Sequence, residues 1–367
     1  MCRLRPLLLI LTLMISIGYF AHADDNTWTI TERCFGDATQ PPDDWSFDGT
    51  LLMTSEGRLH AFHQGWETPR IVVFSGSIPY TSIPHSGQLS PDGRWYAVIT
   101  GMGFYSNFNN VVTWETETIQ IYDTRTGEKH IIPWKGWFGT VSRLYGFGLY
   151  WLDNQHLLYE RGEGQGGGWF VINPMTQAVA EWHSPLDLIY EIVYLAPDAS
   201  AELHSNWGYG GYWTLSRGDY DIQLALWNGG VWRPDSQAFA AYTRVENEYR
   251  AEQLVVFDLA GNITDSLFDV PPEPQPNPDL LKWSTDARYL LFALDRLYIA
   301  DMERQQIIDT CVPSNRVRSV AWSPDGTQFA LLTSRRDDGI QIFDLQTWGR
   351  YVVGYHSGDL IGWRADD

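Results

Sequence analysis

A short turn motif recurs along the chain and constrains its fold more than any other feature. The clearest copy is WSPDG at residues 322–326. Strands are predicted at residues 318–322, 328–333 and 340–345, because these segments are rich in β-branched, aromatic and aliphatic side chains. In the turn, proline presets φ and glycine supplies a positive φ. One such unit cannot bury both of its faces, so it needs copies of itself.

The copies follow one another at a spacing typical of propeller blades. Each copy of the five-residue turn motif is here called an anchor, and successive anchors start 37 to 62 residues apart, most of them near 40. A period of about 40 residues made of short strands is typical of a β-propeller. The 62-residue interval has room for one anchor only and is interpreted as an insertion. The anchors occupy residues 45–49, 89–93, 151–155, 195–199, 232–236, 283–287, 322–326 and 363–367.

A second short motif recurs in the second half of the repeats. Two apolar residues followed by Asp or Asn close a predicted third strand before a polar turn. No segment sustains a helical period, and glycine and proline interrupt the long runs. The chain is therefore predicted to be all-β. These strand ends lie at residues 121–124, 171–174, 256–259, 299–302 and 342–345.

The anchors resemble the repeat of TolB-like propellers, relatives of the WD repeat, in which an aromatic-Ser-Pro-Asp-Gly turn precedes an aliphatic strand. The resemblance runs from residue 45 to the C-terminus and is strongest at 322–326 and 89–93. It implies a β-propeller. TolB itself carries an α/β domain before its propeller, whereas only residues 24–44 separate the first anchor from the predicted signal peptide. The resemblance therefore implies nothing about a partner.

Closure of the ring is predicted from the last anchor. Residues 36–44 make a poor strand because they contain two prolines and three acids, whereas residues 358–362 make a plausible one. We therefore expect seven blades in residues 45–367, with the C-terminal strand innermost in blade one, which removes an open edge. Eight blades is the alternative, but residues 24–36 are too few for three more strands. Residues 24–44 are expected to add one strand or a clasp near Cys311.

The first 23 residues have the pattern of an export signal. Arg3 and Arg5 precede an apolar run over residues 7–20, and Ala21-His22-Ala23 is a small-x-small cleavage site. The predicted location is therefore secreted or periplasmic. Removal of this segment leaves 23 basic against 45 acidic residues, a net charge of −22, which disfavours binding to nucleic acid or anionic lipid. No membrane insertion is expected.

Two cysteines remain after cleavage, Cys34 and Cys311. In an exported chain an isolated pair favours a disulfide, and two separate buried thiols is the alternative. A cysteine-only metal site would need more ligands. The sequence predicts neither a metal nor a cofactor, and a monomer is expected.

Aromatic side chains are concentrated in three consecutive repeats. The connections between the second and third strands of blades two to four, residues 101–118, 160–169 and 206–213, are long, aromatic or glycine-rich. Such loops are predicted to share one face of the propeller and to bind a partner there. The alternative is packing between blades, since large aromatics are mostly buried. The ligand-binding candidates are Tyr105, Phe108, Trp114, Trp169, Trp207, Tyr209 and Trp213.

Charged residues are expected at the mouth of the central channel. The sequence favours a non-catalytic module that binds a protein or a glycan. A carbohydrate-active enzyme, either a glycoside hydrolase or a lyase, is the alternative, with Glu191, Asp279 and Asp359 as its carboxylates. No Gly-x-Ser-x-Gly nucleophile motif occurs. The channel candidates are His85, Glu191, Asp279, Arg316, Arg318 and Asp359.

Overall fold

The structure, a computed structural model, is a seven-bladed β-propeller. It describes residues 28–55, 58–66, 69–74, 87–106, 111–133, 149–161, 168–182, 192–198, 200–206, 212–218, 220–245, 248, 250–334, 339–354 and 358–366. The predicted signal peptide lies outside these ranges. In the described part of the chain, helical structure is limited to two three-residue 3-10 turns, Pro278–Leu280 and Ser314–Arg316. No helix there is long and apolar enough to cross a membrane.

Each blade is built from four antiparallel strands, which are numbered here along the chain. Blades one to three contain β29 (Asp359–Arg364), β2 (Thr50–Ser55), β3 (Arg58–His63) and β4 (Arg70–Phe74); β5 (Gly87–Leu89), β6 (Trp95–Ser106), β7 (Val111–Asp123) and β8 (Lys129–Pro133); and β9 (Leu149–Trp151), β10 (Leu157–Arg161), β11 (Gly168–Ile172) and β12 (Val179–Trp182).

The other four blades follow the same order from the innermost strand outward. They contain β13 (Ile192–Leu195), β14 (Glu202–Asn206), β15 (Tyr212–Arg217) and β16 (Tyr220–Leu224); β17 (Leu226–Trp232), β18 (Ala238–Arg244), β19 (Ala251–Asp258) and β20 (Ile263–Asp269); β21 (Lys282–Trp283), β22 (Tyr289–Ala293), β23 (Arg296–Asp301) and β24 (Gln306–Pro313); and β25 (Val317–Trp322), β26 (Gln328–Thr333), β27 (Ile340–Asp344) and β28 (Gly349–Gly354).

The C-terminal strand closes the ring, which confirms the prediction of seven blades and excludes eight. β29 pairs antiparallel with β2, from Arg364 opposite Thr50 to Asp359 opposite Thr54. It also contacts β25 and β5, the innermost strands of its two neighbours. Blade one is therefore completed by a strand from the far end of the chain, and the inner edge of β2 is paired.

The N-terminal segment crosses the outer edges of blades six and seven. Strand β1 (Thr29–Glu32) pairs parallel with β24 as a fifth strand of blade six. Next, Cys34 is bonded to Cys311 of β24, with their Cα atoms 4.9 Å apart, which confirms the predicted disulfide. Phe35 is buried against blade seven, and Thr39 bridges Tyr351. The segment thus fastens two blades before it reaches the first anchor.

The anchor turn is held by a local hydrogen-bond network. In blade seven, Ser323 Oγ donates to Asp325 Oδ1 at 2.6 Å and accepts from the Gln328 N–H at 2.9 Å. The same pair recurs as Ser90 with Asp92 and as Ser284 with Asp286, at 2.5 Å in each case. These short-range bonds explain why the motif forms a turn wherever it occurs.

The glycine that ends the anchor is needed for two reasons. Gly326 has φ +72°, a conformation that L side chains rarely adopt, and a Cβ there would lie 2.6 Å from Asp286 Oδ1 of the preceding blade. Two anchors without glycine adopt the same backbone at a cost: Ser236 and Ala287 have φ of 60° and 62°.

In five blades an Asp or Asn at the end of the third strand caps the turn after it. Asp344 Oδ1 accepts from the N–H groups of Gln346 and Thr347, each at 2.9 Å. Burial raises the pKa of Asp344, but hydrogen bonds from the backbone of Thr347 and the side chain of Gln328 outweigh it, so the pKa lies below its ordinary value. The same capping is made by Asp123, Asn173 and Asp301, whereas Asp258 accepts from the N–H groups of Ala260 and Asn262.

Anchor tryptophans also join neighbouring blades. In four places the indole Nε1 donates to the backbone carbonyl of the residue just before the preceding blade's anchor. Since each bond satisfies a carbonyl at the inner edge of a sheet, the innermost strands are held at a common level. The four bonds run from Trp151 to Gln88 (3.1 Å), from Trp232 to Tyr194 (2.8 Å), from Trp283 to Val231 (3.1 Å) and from Trp322 to Lys282 (3.3 Å).

Candidate functional site

The strand order divides the propeller into two faces. Because neighbouring strands are antiparallel, the turns between strands one and two and between strands three and four lie at one end, here called the turn face. The connections between strands two and three, and the links between blades, lie at the opposite end, here called the loop face. The aromatic connections of blades two to four therefore belong to the loop face.

The hairpin of blade two extends well beyond its blade. β6 and β7 have 12 and 13 residues, whereas β26 and β27 of blade seven have 6 and 5. β6 and β7 stay paired as far as Ser106 opposite Val111. β5 pairs only with residues 96–98 and β8 only with residues 118–122. Residues 101–106 and 111–117 therefore form a hairpin arm that extends roughly 20 Å, at about 3.4 Å per residue.

Two predicted ligand residues lie on this arm. Tyr105 is opposite Val112, and Trp114 is opposite Gly103, next to a bulge in the ladder. Phe108 lies outside the described residues. In blade three, Trp169 is the second residue of β11, opposite Glu160, at the loop-face end of its strand. The backbone thus brings the positions of Tyr105, Trp114 and Trp169 to one face in two neighbouring blades.

Blade four contributes less to this face than the sequence suggests. Trp207 and Tyr209 lie outside the described residues. Trp213 is only 6 % exposed and packs in the core between blades four and five, with its ring 5.6 Å from that of Tyr194. Trp213 follows the packing alternative, because its side chain faces the next blade. We leave it out of the candidate surface.

Two of the three predicted channel carboxylates, Asp279 and Asp359, lie in the described part of the chain. Asp359 begins β29 and forms an ion pair with Arg318 of blade seven, with Arg318 Nη2 3.0 Å from Asp359 Oδ2. Asp279 lies in the 3-10 turn before blade six, which contacts β25 of blade seven, as β29 does. Arg316 is exposed at the end of the second 3-10 turn. Glu191 and His85 lie outside the described residues.

Two residues that the sequence analysis did not select, Tyr194 and Lys282, lie on innermost strands. Lys282 is exposed, yet desolvation by surrounding protein lowers the pKa of its ammonium group, an effect that Asp279 opposes. Desolvation also raises the pKa of Tyr194, and Asp279 raises it further. Both residues directly precede an anchor, which is the signal that could have identified them.

A metal site is not favoured where ligand-type side chains cluster. Among the described residues, Glu32 lies beside Cys34 and Cys311. Because the two sulfurs are bonded to each other, neither offers a thiolate to a metal ion.

The sequence matches no protein-family model and no curated protein. Solved structures with a similar fold include an oligogalacturonate lyase in complex with manganese, at 13 % identity and a TM-score of 0.51, covering 87 % of this chain and 86 % of that one. A putative 6-phosphogluconolactonase from Bacteroides fragilis NCTC 9343 has 14 % identity and a TM-score of 0.47, covering 89 % and 100 %. TolB from Acinetobacter baumannii has 16 % identity and a TM-score of 0.38, covering 72 % and 63 %. These similarities show the propeller fold alone.

Proposed function

We propose that this protein is an exported, non-catalytic binding module whose loop face holds a macromolecular partner. The observation that carries the proposal is the hairpin arm of blade two. Ordering a dozen residues beyond the blade costs conformational entropy, which a compensating contact would offset. Tyr105, Trp114 and Trp169 are the aromatic positions that share the face with the arm, and rigid scaffolds commonly carry function on such loops.

Between a protein and a glycan partner, the arm favours a protein. Its two outer edges present backbone N–H and C=O groups at alternate residues, and among the described residues no strand pairs with them beyond residues 96–98 and 118–122. An extended segment of another protein could add to such an edge. The net charge of −22 after signal removal would favour association with a basic surface.

Export is supported by the disulfide. The bond between Cys34 and Cys311 fits an oxidising compartment, as does the signal pattern in residues 1–23. A secreted or periplasmic location is therefore part of the proposal.

No observation favours the carbohydrate-active alternative over binding. Of its carboxylates, Asp359 is already paired with Arg318. A hydrolase of the two-carboxylate type needs two carboxylates free to act on the substrate, and an ion pair with arginine opposes that for Asp359.

Shortening the arm tests the proposal without disturbing the blade. Thr100 and Thr118 are directly opposite, so replacing residues 101–117 with Asn-Gly joins them through a two-residue hairpin turn. We expect an unchanged melting temperature and loss of a protein that wild type retains from the extracytoplasmic fraction of the source organism. Trp213→Ala serves as the control, because it should lower stability by about 3–5 kcal/mol without removing the arm.

The outcomes separate the alternatives. Retention of the same protein by wild type and the shortened variant would contradict the proposal. Arm-dependent binding on a glycan array, with no protein retained, would show a glycan partner instead.

A further inference from the structure

One position in each repeat forms a ring around the central channel. It is the residue just before the anchor, on the innermost strand, and four of these residues accept the indole hydrogen bond of the next blade. Both faces of an innermost strand are covered by neighbouring blades and its outer edge is paired, so an exposed side chain there is reached from the channel or from one of its two ends. The ring positions are Gly362, Gln88, Tyr150, Tyr194, Val231, Lys282 and Ala321.

Lys282 is the charged member of this ring. Its side chain is accessible, but protein surrounds it closely enough for desolvation to lower the pKa of the ammonium group. Asp279, three residues earlier, opposes this shift through its charge. No described residue accepts a hydrogen bond from Lys282 Nζ. An accessible but poorly solvated donor of this kind is available to a ligand.

A glycine in blade five leaves the space that the Tyr194 ring occupies. Blade five has a register shift between Leu226 and Gly230, where Gly229 has φ +58°. A Cβ on Gly229 would lie 2.8 Å from Tyr194 Cε2 and 3.1 Å from the Trp213 ring. The bulge therefore makes room for the phenol ring, and the Tyr194 residue stays 37 % exposed. Bulges commonly re-aim side chains beside binding sites.

The Tyr194 hydroxyl is a second available donor. Desolvation first, and the charge of Asp279 second, raise the pKa of Tyr194, so the phenol stays protonated at neutral pH. No described residue hydrogen-bonds to the hydroxyl. Asn228, on the same bulged strand, is exposed and adds an amide. The innermost strands of blades four, five and six thus carry an exposed phenol, amide and ammonium group.

We propose that Tyr194, Asn228, Asp279 and Lys282 form a binding site for a neutral sugar inside the channel. Vicinal sugar hydroxyls need donors and acceptors side by side, which the ammonium, amide and carboxylate supply. The phenol ring offers an apolar surface to the C–H face of a pyranose. Lys282 and Asp279 balance one another in charge, and the net charge of −22 disfavours an anionic ligand.

This site is independent of the proposed partner surface. It is built from the innermost strands of blades four and five and from the chain that enters blade six, whereas the arm extends from blade two. Shortening the arm should therefore leave sugar binding unchanged, so each proposal can fail without the other.

Saturation-transfer NMR with D-glucose, D-galactose, D-mannose and N-acetyl-D-glucosamine tests the site, with D-glucuronate as a charged comparison. We expect at least one neutral sugar to bind, and Lys282→Met to weaken it by tenfold or more. Tyr194→Phe keeps the ring and should weaken binding by a smaller factor. Lys129→Met makes the same substitution on the outermost strand of blade two, where lysine is exposed, and should have no effect.

Three results would overturn the inference. These are the absence of saturation transfer to all four neutral sugars, binding that neither Lys282→Met nor Tyr194→Phe weakens, and tighter binding of D-glucuronate than of every neutral sugar. Because the two variants lie in different blades, a folding defect in one leaves the other to decide.

Discussion

Closure of the ring by the C-terminal strand can be tested at one side chain, Trp363. It is 7 % exposed and packs edge-on against Phe47, with ring centroids 5.6 Å apart. Its indole Nε1 donates to the carbonyl of Asp48 at 2.8 Å. Replacing a buried tryptophan with alanine costs about 3–5 kcal/mol, and the lost hydrogen bond adds about 1 kcal/mol. We therefore expect Trp363→Ala to destabilise the protein by about 4–6 kcal/mol.

That loss is large compared with the 5–15 kcal/mol that usually holds a protein folded. At about 2.1 cal/mol/K per residue, a chain of this length has an unfolding entropy of about 0.7 kcal/mol/K, so the melting temperature should fall by roughly 6–8 °C. Circular dichroism and tryptophan fluorescence during heating would measure it. Deleting residues 358–367 removes the whole strand, and we expect unfolded or aggregated protein.

Truncation after Ala365 is the matched control. It removes Asp366, which bonds Thr50 Oγ1 at 3.0 Å and His63 Nε2 at 2.7 Å near the surface. The exposed His63 pair contributes less than about 1 kcal/mol, and the hydrogen bond from the buried Thr50 about 1 kcal/mol. Melting of the 358–367 deletion at the wild-type temperature would refute closure by β29, as would a Trp363→Ala variant no less stable than the control.

Reduction of the Cys34–Cys311 bond, which spans 277 residues, should destabilise the protein by roughly 5 kcal/mol in the loop-entropy model; a melt with and without reductant measures this, and equal midpoints would contradict it. Ala287→Gly should stabilise the protein by about 0.5–1 kcal/mol because φ is positive there, whereas Gly326→Ala should destabilise it by more than about 1 kcal/mol. Urea midpoints that move in the opposite directions would contradict the explanation that the last anchor position favours glycine because of its positive φ. The pKa of Asp344 is lower in the folded protein than its unfolded value of 3.8, so the ionised carboxylate stabilises the fold above pH 3.8, and this stability is lost as the pH falls toward the folded pKa. Wild type should therefore lose stability between about pH 5 and about 2 more steeply than Asp344→Asn. Parallel curves of stability against pH would argue against this role.

The repeat could be predicted from the sequence because its determinants are local. A Ser-Pro-Asp-Gly turn satisfies its own hydrogen bonds within five residues, as Ser323 and Asp325 show, so it forms wherever the sequence occurs. The same holds for the capping of the third strand by Asp344. Ring closure followed from counting these units, because one anchor was left without strands of its own.

Long-range packing decided what local chemistry could not. The sequence placed residues 24–44 near Cys311, but only the structure shows β1 adding to blade six in parallel. Trp213 has the same aromatic and glycine neighbours as a loop residue, yet its side chain packs on the next blade. The pairing of Asp359 with Arg318 joins residues 41 apart in different blades.

The channel site shows the same division between local and tertiary determinants. The sequence marks Tyr194 and Lys282 only as residues that precede an anchor, a position that is Gly, Gln, Tyr, Val or Ala in the other blades. Whether such a side chain is buried or faces the channel depends on the blades beside it. For Tyr194 the deciding neighbour is Gly229, 35 residues further along the chain, whose missing Cβ leaves room for the ring. Local hydrogen bonding therefore determined the repeat, whereas contacts between blades determined which side chains remain available to a ligand.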